Sequence, residues 1–115
     1  MAAQRARKAL AEVTGMMKAL ADPQRVAILR LVHSAELPAG EIASHFKTTR
    51  QAVSQNLKIL THTGLIELRQ EGTRRFYRIR PEAFADLRSF LDAFWDDRLT
   101  TLKGEVEAKR RPRHG

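Results

Sequence analysis

The sequence predicts a mainly α-helical domain (α+β class) with five helices and one small β-hairpin. Three observations support this fold class. Apolar residues recur every three or four positions over most of the chain, as they do in amphipathic helices. The period shortens to two only between Leu65 and Arg80, around a turn at Glu71-Gly72-Thr73, which is typical of a β-hairpin. Gly64 ends the preceding helix, and Pro81 stops the second strand.

The composition restricts the class of protein. At 115 residues the chain is long enough for one domain with a modest core, and a hydrophobic fraction of 43% argues against general disorder. It has no apolar run of the roughly 18 residues that span a membrane and no signal-peptide core. Because cysteine is absent, disulfides and thiolate metal sites are excluded. We expect a cytoplasmic protein without a membrane partner, divided into a flexible N-terminal segment (1–8), one domain (9–106) and a disordered basic tail (107–115).

The first predicted helix spans Ala9 to Leu20. Its apolar residues Leu10, Val13 and Met17 are spaced by three and four positions, followed by Leu20, which forms a narrow heptad-like seam. A short helix of this kind is marginal alone and needs a surface to pack against. We predict that this helix forms part of a dimer interface. The alternative is that it packs only within its own domain.

The second helix begins at Asp22-Pro23, an N-cap acceptor followed by a proline at the first helical position. Its apolar residues are predicted to lie in the core: Val26, Ile28, Leu29 and Val32. Arg25 and Arg30 lie off that face. Their side chains could reach a phosphate. The alternative is that they lie on the solvated surface of the domain.

A helix, a turn and a second helix are predicted between Leu37-Pro38 and Leu60. The first of these helices buries Ile42, Ala43 and Phe46, and the turn is Lys47-Thr48-Thr49, with Thr49 as the N-cap of the helix that starts at Arg50. The second helix buries Val53, Leu57 and Leu60. Off that stripe, near its start, it carries side chains of the types that read base edges: Arg50, Gln51, Ser54 and Gln55. This arrangement suits insertion into a DNA major groove.

The positive charge is concentrated in the same part of the chain. Residues 47–80 carry eight basic and two acidic side chains, whereas residues 81–103 carry three basic and five acidic ones. The hairpin bears Thr73, Arg74 and Arg75 at its tip and on its return strand, with Arg78 further along. A basic hairpin directly after a recognition helix is a wing that would lie against the adjacent DNA backbone or minor groove. The alternative is a hairpin that only covers the core.

The last predicted helix runs from Glu82 to about Val106 and is rich in aromatic residues. Its apolar face is too broad for a monomer of this size to bury, so we predict pairing with a second copy of the chain. Together with Leu10, Val13 and Met17, the residues assigned to this dimer interface are Phe90, Leu91, Phe94, Trp95, Leu99 and Leu102.

These features together resemble the ArsR/SmtB family of bacterial winged helix-turn-helix repressors. The resemblance covers about residues 15–80 and rests on the segment from Leu20 to Leu29, the helix-turn-helix, Gly64-Leu65-Ile66 and the wing from Gly72 to Tyr77. It implies a homodimer built from the first and last helices, bound to a palindromic operator. By family position, the four residues named above match base readers. The resemblance also implies DNA backbone contacts from the turn and the recognition helix, at Lys47, Thr48, Thr49, Asn56 and Lys58.

The chain departs from the metal-sensing members of that family. Those members carry a cysteine pair in the helix before the turn, or Asp, His and Glu ligands on the last helix. Here the first region is Glu41-Ile42-Ala43-Ser44-His45, and the last helix has no histidine. Asp96 and Asp97 on the last helix are not expected to bind a metal ion together, because adjacent residues face different directions on a helix. We therefore expect no metal and no cofactor, a likeness to the metal-independent branch, and an inducer that the sequence does not identify.

The function that the sequence predicts is a homodimeric, sequence-specific regulator of transcription bound to double-stranded DNA, most simply a repressor. One alternative is a nucleoid-type protein that contacts only phosphates. Another is a regulator controlled by a protein or small-molecule partner. We do not expect an enzyme, because no nucleophile–base pair, phosphate loop or carboxylate constellation is present.

Overall fold

The computed structural model describes residues 2–95, which form five helices and two strands. The elements in chain order are α1 (Ala2–Ala19), α2 (Pro23–Ser34), α3 (Ala39–Ser44), α4 (Arg50–His62), β1 (Ile66–Glu71), β2 (Arg74–Ile79) and α5 (Pro81–Trp95). The predicted fold class is therefore confirmed. The parts of the predicted last helix and basic tail beyond Trp95 lie outside the described residues.

Helix α1 begins seven residues earlier than the sequence predicted, at Ala2 instead of Ala9. Residues 2–8 are exposed throughout, so no apolar periodicity marked them as helical. Their composition of alanine, arginine, lysine and glutamine explains the extension, because these residues lose little side-chain freedom in a helix. The buried positions of α1 are Val13, Met16 and Ala19.

Helix α2 starts as predicted. Asp22 accepts hydrogen bonds from the backbone N–H groups of Gln24 and Arg25 at 2.9 and 3.1 Å, and Pro23 occupies the first helical position. Ile28, Leu29 and Val32 are buried. The assignment of Val26 to the core is wrong, because its side chain is 36% exposed. It lies at the edge of the buried stripe, beside a groove between α2 and the start of α5.

The helix-turn-helix is formed by α3 and α4. Helix α3 ends at Ser44, two residues before the predicted end at Phe46, because the N–H groups of His45 and Phe46 bond to carbonyls three residues back and tighten the last turn. Helix α4 ends in a Schellman motif. In it, Leu65 N–H bonds to Leu60 O at 3.2 Å and Gly64 N–H bonds to Thr61 O at 3.1 Å. The predicted left-handed cap at Gly64 is confirmed by its φ of +80°.

The two strands form an antiparallel hairpin in which Glu71 pairs with Arg74, which leaves Gly72-Thr73 as a two-residue turn. Gly72 has φ +63° and Thr73 does not have a positive φ, which is the pattern of a type II′ turn. Leu37 exchanges two backbone hydrogen bonds with Tyr77, of 3.2 and 2.8 Å, on the other edge of β2. The segment between α2 and α3 therefore ties the wing to the helices.

One core joins all of these elements. Its fully buried side chains come from α2, α3, α4 and the start of β1: Ile28, Ile42, Val53, Leu57, Leu60, Leu65 and Ile66. The predicted stripe of α4 lies at its centre. Helix α5 closes the core with Ala83 and Leu87. Among residues 2–95, the structure contains no helix with the length and apolar character needed to cross a membrane.

Gly64 offers a direct test of the left-handed cap between α4 and the wing. Gly64→Ala is expected to lower the free energy of unfolding by about 1–2 kcal/mol, because L-residues are strained at positive φ. The new Cβ would also lie 2.9 Å from Nη1 of Arg80, which donates to the Gly64 carbonyl. Urea denaturation at fixed protein concentration measures the change.

Gly15→Ala is the matched control for this substitution. Gly15 lies inside α1, and an added Cβ would meet no atom within 4 Å. The same chemical change is therefore expected to raise the free energy of unfolding by about 0.5–1 kcal/mol, because alanine loses less backbone entropy in a helix. Equal effects at the two positions would contradict the role of the left-handed cap.

Candidate nucleic-acid interface

The outer face of α4 carries a continuous row of exposed polar side chains. Arg50 and Ser54 are four residues apart, as are Gln51 and Gln55, and Lys58 continues the row. All five are exposed, whereas Val53 and Leu57 anchor the opposite side in the core. The structure thus places the four predicted base readers on one accessible face. Their contacts with bases stay a prediction.

The turn before α4 presents its polar groups at the same end of the helix. The Thr49 hydroxyl accepts a hydrogen bond from Ala52 N–H at 3.0 Å, which confirms the predicted N-cap. Lys47, Thr48 and Thr49 are exposed. Lys47 precedes the N-cap residue by two positions, so its positive charge belongs to the segment that leads into the positive end of the α4 dipole, where anions are favoured.

Arg50 lies over a gap left by a glycine in α3. Its Nη2 is only 3.0 Å from the position that a Cβ on Gly40 would occupy. The guanidinium is thus folded against the start of α3, beside a groove of about 300 Å³ between α3 and α4. No ion pair holds it there among the described residues, so it can change position without breaking a salt bridge.

Asn56, on α4, bonds to residues of α2 within the domain. Both ends of its side chain bond inside the domain: Oδ1 accepts from Nη1 of Arg25 at 3.2 Å, and Nδ2 donates to Oε1 of Gln24. The assignment of Asn56 to the DNA backbone contacts stays a prediction, and these internal bonds argue against it. The spacing contained the signal, since Asn56 is three residues after Val53 and four before Leu60, at the edge of the buried stripe.

Arg25 has the same internal role. Its guanidinium, which could have reached a phosphate or solvent, bonds instead to Asn56 and to backbone carbonyls at the end of α1. No local pattern indicates this contact, because the partners are 6 to 31 residues away along the chain.

The wing tip is exposed and basic. Thr73, Arg74 and Arg75 are all accessible. Phe76, on the return strand of the hairpin, is half-buried, and two guanidinium groups lie over its ring. The Arg74 and Arg69 Cζ atoms lie 4.9 and 5.0 Å from the centre of its ring.

Three other hairpin arginines are neutralised by glutamates. Arg69 bonds to Glu36 and Glu71 at 2.8 and 3.0 Å, and these hydrogen bonds, first that to Glu36, raise the pKa of its guanidinium. Arg78 bonds to Glu67 at 2.9 Å. Arg80 lies 3.5 Å from Glu82 and 3.9 Å from Glu67. Arg78, which the sequence suggested as a further wing cation, is therefore engaged within the domain.

The ion pairs show which basic side chains of residues 47–80 keep an uncompensated charge. Among the described residues, five basic side chains of this segment have no acidic partner: Lys47, Arg50, Lys58, Arg74 and Arg75. All five are exposed, and they belong to the turn, the outer face of α4 and the wing tip. Within residues 47–80, the uncompensated charge thus lies in the turn, on the outer face of α4 and at the wing tip, the elements that a winged helix-turn-helix directs at DNA.

The residues predicted to form a dimer interface divide into three groups. Leu10, Leu91 and Phe94 are 52%, 39% and 65% exposed, and Phe90 and Met17 are half-buried. Val13 is only 6% exposed and packs in the core of its own chain, so its assignment to the interface is corrected. The heptad spacing could not distinguish an interface residue from a core residue, because the stripe of α1 that packs within its own chain overlaps the heptad-like seam. The Trp95 side chain, Leu99 and Leu102 lie outside the description.

The phenylalanine rings extend the apolar surface of α5. Phe90 and Phe94 pack edge to face, with centroids 5.1 Å apart and planes inclined at 71°. Ala83, Leu87, Phe90, Leu91 and Phe94 follow each other at spacings of three and four or lie beside that stripe. The first two are buried and the last two are exposed, so the stripe continues past the end of the chain's own core.

Candidate metal ligands can be compared only over the described part of the chain. Within residues 2–95, no group of three or more Asp, Glu or His side chains is placed to hold a metal ion. Asp96 and Asp97 lie outside that range. The expectation of no metal site stays a prediction.

Comparisons with known proteins agree with this geometry. A family model described as a helix-turn-helix domain matches residues 20–69. The HTH-type transcriptional regulator Rv2034 of Mycobacterium tuberculosis is 43% identical over 83 residues, which cover 72% of this chain and 78% of that protein. The arsenical resistance operon repressor of Staphylococcus xylosus is 30% identical over 81 residues, with coverages of 70% and 78%.

A solved structure resembles this chain over most of both lengths. It is the homodimeric winged helix-turn-helix DNA-binding domain of Mb0332 from Mycobacterium bovis, described as a possible ArsR-family transcriptional regulator. It is 37% identical and has a TM-score of 0.61, over 78% of this chain and 83% of that one. The chain belongs to the ArsR family of winged helix-turn-helix transcriptional regulators. As a member of the ArsR family, it is a DNA-binding regulator of transcription and not an enzyme.

Proposed function

We propose that this ArsR-family protein is a homodimeric repressor that binds a palindromic operator in the cytoplasm. The observation that carries the proposal is the exposed row on α4, flanked by the five unpaired cations defined above. Amide, hydroxyl and guanidinium groups on one helix face can read base edges, and cations around them can contact phosphates on either side. Two such helices, one from each subunit, would enter successive major grooves about 34 Å apart.

The roles divide by position. Arg50, Gln51, Ser54 and Gln55 would contact bases, and Gln51 and Gln55 are suited to bidentate contacts with adenine. The backbone contacts would come from the turn residues Lys47, Thr48 and Thr49, from Lys58, and from the wing residues Thr73, Arg74 and Arg75. Repression would follow from occupancy, because a dimer lying along a promoter blocks access to the same DNA.

The dimer would form through α1 and α5. An exposed leucine and phenylalanine on α5, with Leu10 on α1, leave an apolar surface that a second copy can cover. A related M. bovis domain is described as homodimeric, which supports the same assembly here. We further propose that the protein does not sense metals through cysteine, since the sequence has none.

Selection of binding sites from random duplex DNA tests this function. We expect the selected sites to converge on a palindrome, and a dimer in sedimentation. At one salt concentration, the protein should bind the selected duplex at least about 1,000-fold more tightly than a scrambled duplex of equal length, as other specific regulators do. Equal affinity for both duplexes would instead favour a nucleoid-type protein that contacts only phosphates, and the proposal would be wrong.

A further inference from the structure

One side chain of α2 bonds to two other helices. The Arg25 Nε donates a hydrogen bond to Ala19 O at 2.8 Å, and its Nη2 donates to Lys18 O at 3.4 Å, both in the last turn of α1. Its Nη1 donates to Oδ1 of Asn56, in the middle of α4, at 3.2 Å. Arg25 is half-buried, so these bonds form partly out of water.

The Asn56 amide completes the connection. Arginine offers only donors, so the oxygen of the amide must face Arg25 and its nitrogen must face away. That nitrogen donates to Oε1 of Gln24, the residue before Arg25. Both halves of the amide are therefore used, and α4 is held to the first turn of α2 by two adjacent contacts.

The contact with α1 is favourable for a separate reason. The last carbonyl groups of a helix lack partners within the helix, and they form the negative end of its dipole. A guanidinium placed there supplies two donors and a positive charge. Its planar, rigid fork also fixes the direction of the bonds, which an ammonium group does not. The angle between α1 and α4 is thereby tied to the position of one planar group.

We propose that Arg25 is a positioning residue that sets the orientation of the recognition helix α4 relative to α1, and thereby the operator spacing that the dimer accepts. This inference rests on the proposed function, because it requires α1 to take part in the dimer interface. In that dimer each recognition helix is connected to the symmetry axis through α1. A change in the angle between α1 and α4 alters the separation and the tilt of both recognition helices at once.

Arg25→Lys is the substitution that isolates this role. It keeps the positive charge, but one ammonium on a flexible stem does not reproduce the fork that reaches Ala19, Lys18 and Asn56. We expect affinity for the selected palindrome to fall by about 3- to 30-fold, a loss that lies within the range for coupled contacts. Affinity for a duplex with one half-site should be nearly unchanged, since each recognition helix keeps its own face.

The spacing of the half-sites gives a readout that a loss of stability does not move. Palindromes with one base pair added or removed between the half-sites shift them by about 3.4 Å along the helix axis. The unaltered protein should bind these duplexes more weakly than the selected palindrome. In Arg25→Lys that spacing penalty should shrink, because the angle of α4 is less restricted. Asn56→Ala should shrink it too, and the double variant should show less than the sum of the two effects.

Arg88→Lys is the matched control, because Arg88 is exposed on α5 and its only ion pair among the described residues is with Asp92. It should leave the spacing penalty unchanged. Three results would overturn the inference. They are an unchanged spacing penalty in Arg25→Lys, a loss of affinity per half-site that is equal on the palindrome and on the single half-site, and additive effects of Arg25→Lys and Asn56→Ala. Failure of the proposed function gives a different result, because the unaltered protein would then bind the palindrome and scrambled DNA equally.

Discussion

Replacing Leu91 and Phe94 together by glutamate is expected to convert the dimer into a monomer and to weaken operator binding by about 100-fold or more. A dimer engages two half-sites at once, and linking two binding events in this way strengthens binding by about 100- to 10,000-fold without new contacts. A monomer loses that advantage. Two buried carboxylates without partners would make the apolar interface untenable. Sedimentation and operator titration measure the two effects.

The double variant should still fold, because both side chains are exposed in the single chain. Arg88→Glu is its control, since it changes the net charge by the same two units on the same helix but removes no apolar surface. It should remain dimeric and bind the operator nearly as tightly as the unaltered protein. A double variant that stays dimeric, or a monomer that keeps full operator affinity, would exclude α5 from the interface proposed here.

Gln51→Ala and Gln55→Ala are each expected to weaken binding to the selected operator by about 1–3 kcal/mol per half-site, the usual value of a bidentate base contact. Binding to scrambled DNA should change little, because neither side chain carries a charge. Both residues are exposed and off the buried stripe, so the fold is preserved. Titrations of the two duplexes at equal salt measure the difference between specific and non-specific binding.

Arg75→Ala provides the contrast within the same prediction. Arg75 has no acidic partner among the described residues, and it lies on the exposed wing. Its loss should weaken all sequences alike and reduce the salt slope by about one per wing. Arg78→Ala, on the same strand, should have little effect because Arg78 is bonded to Glu67. Identical behaviour of the glutamine and Arg75 variants would make the division between base readers and backbone contacts wrong.

Most of the fold could be predicted because its signals are local. The spacing of Val53, Leu57 and Leu60, the caps at Asp22 and Thr49, and the glycine at the end of α4 each depend on residues within one or two turns. The start of α1 was missed for the opposite reason, since residues 2–8 have helical propensity but no apolar period. The exposed face of α4 follows directly from the same spacing that defines its buried face.

The ionic partners and the interior contacts depended on residues that are far apart in sequence. Three hairpin arginines with similar local surroundings to Arg74 and Arg75 are bonded to glutamates, and one of these, Glu36, lies 33 residues before its partner Arg69. Asn56 is polar and adjacent to base readers, yet it bonds to α2. Val13 fits an interface seam, yet it fills the core.

The sequence by itself determined the order and type of the elements and the polar character of the outer face of α4. Hydrophobic period and capping chemistry act over a few residues, so they can be read along the chain. Only the tertiary structure decided which charges remain free, which polar side chain is turned inward, and which apolar residues are left uncovered. Those outcomes depend on which distant groups the packing of α1, α2, α4 and the wing brings within hydrogen-bond distance.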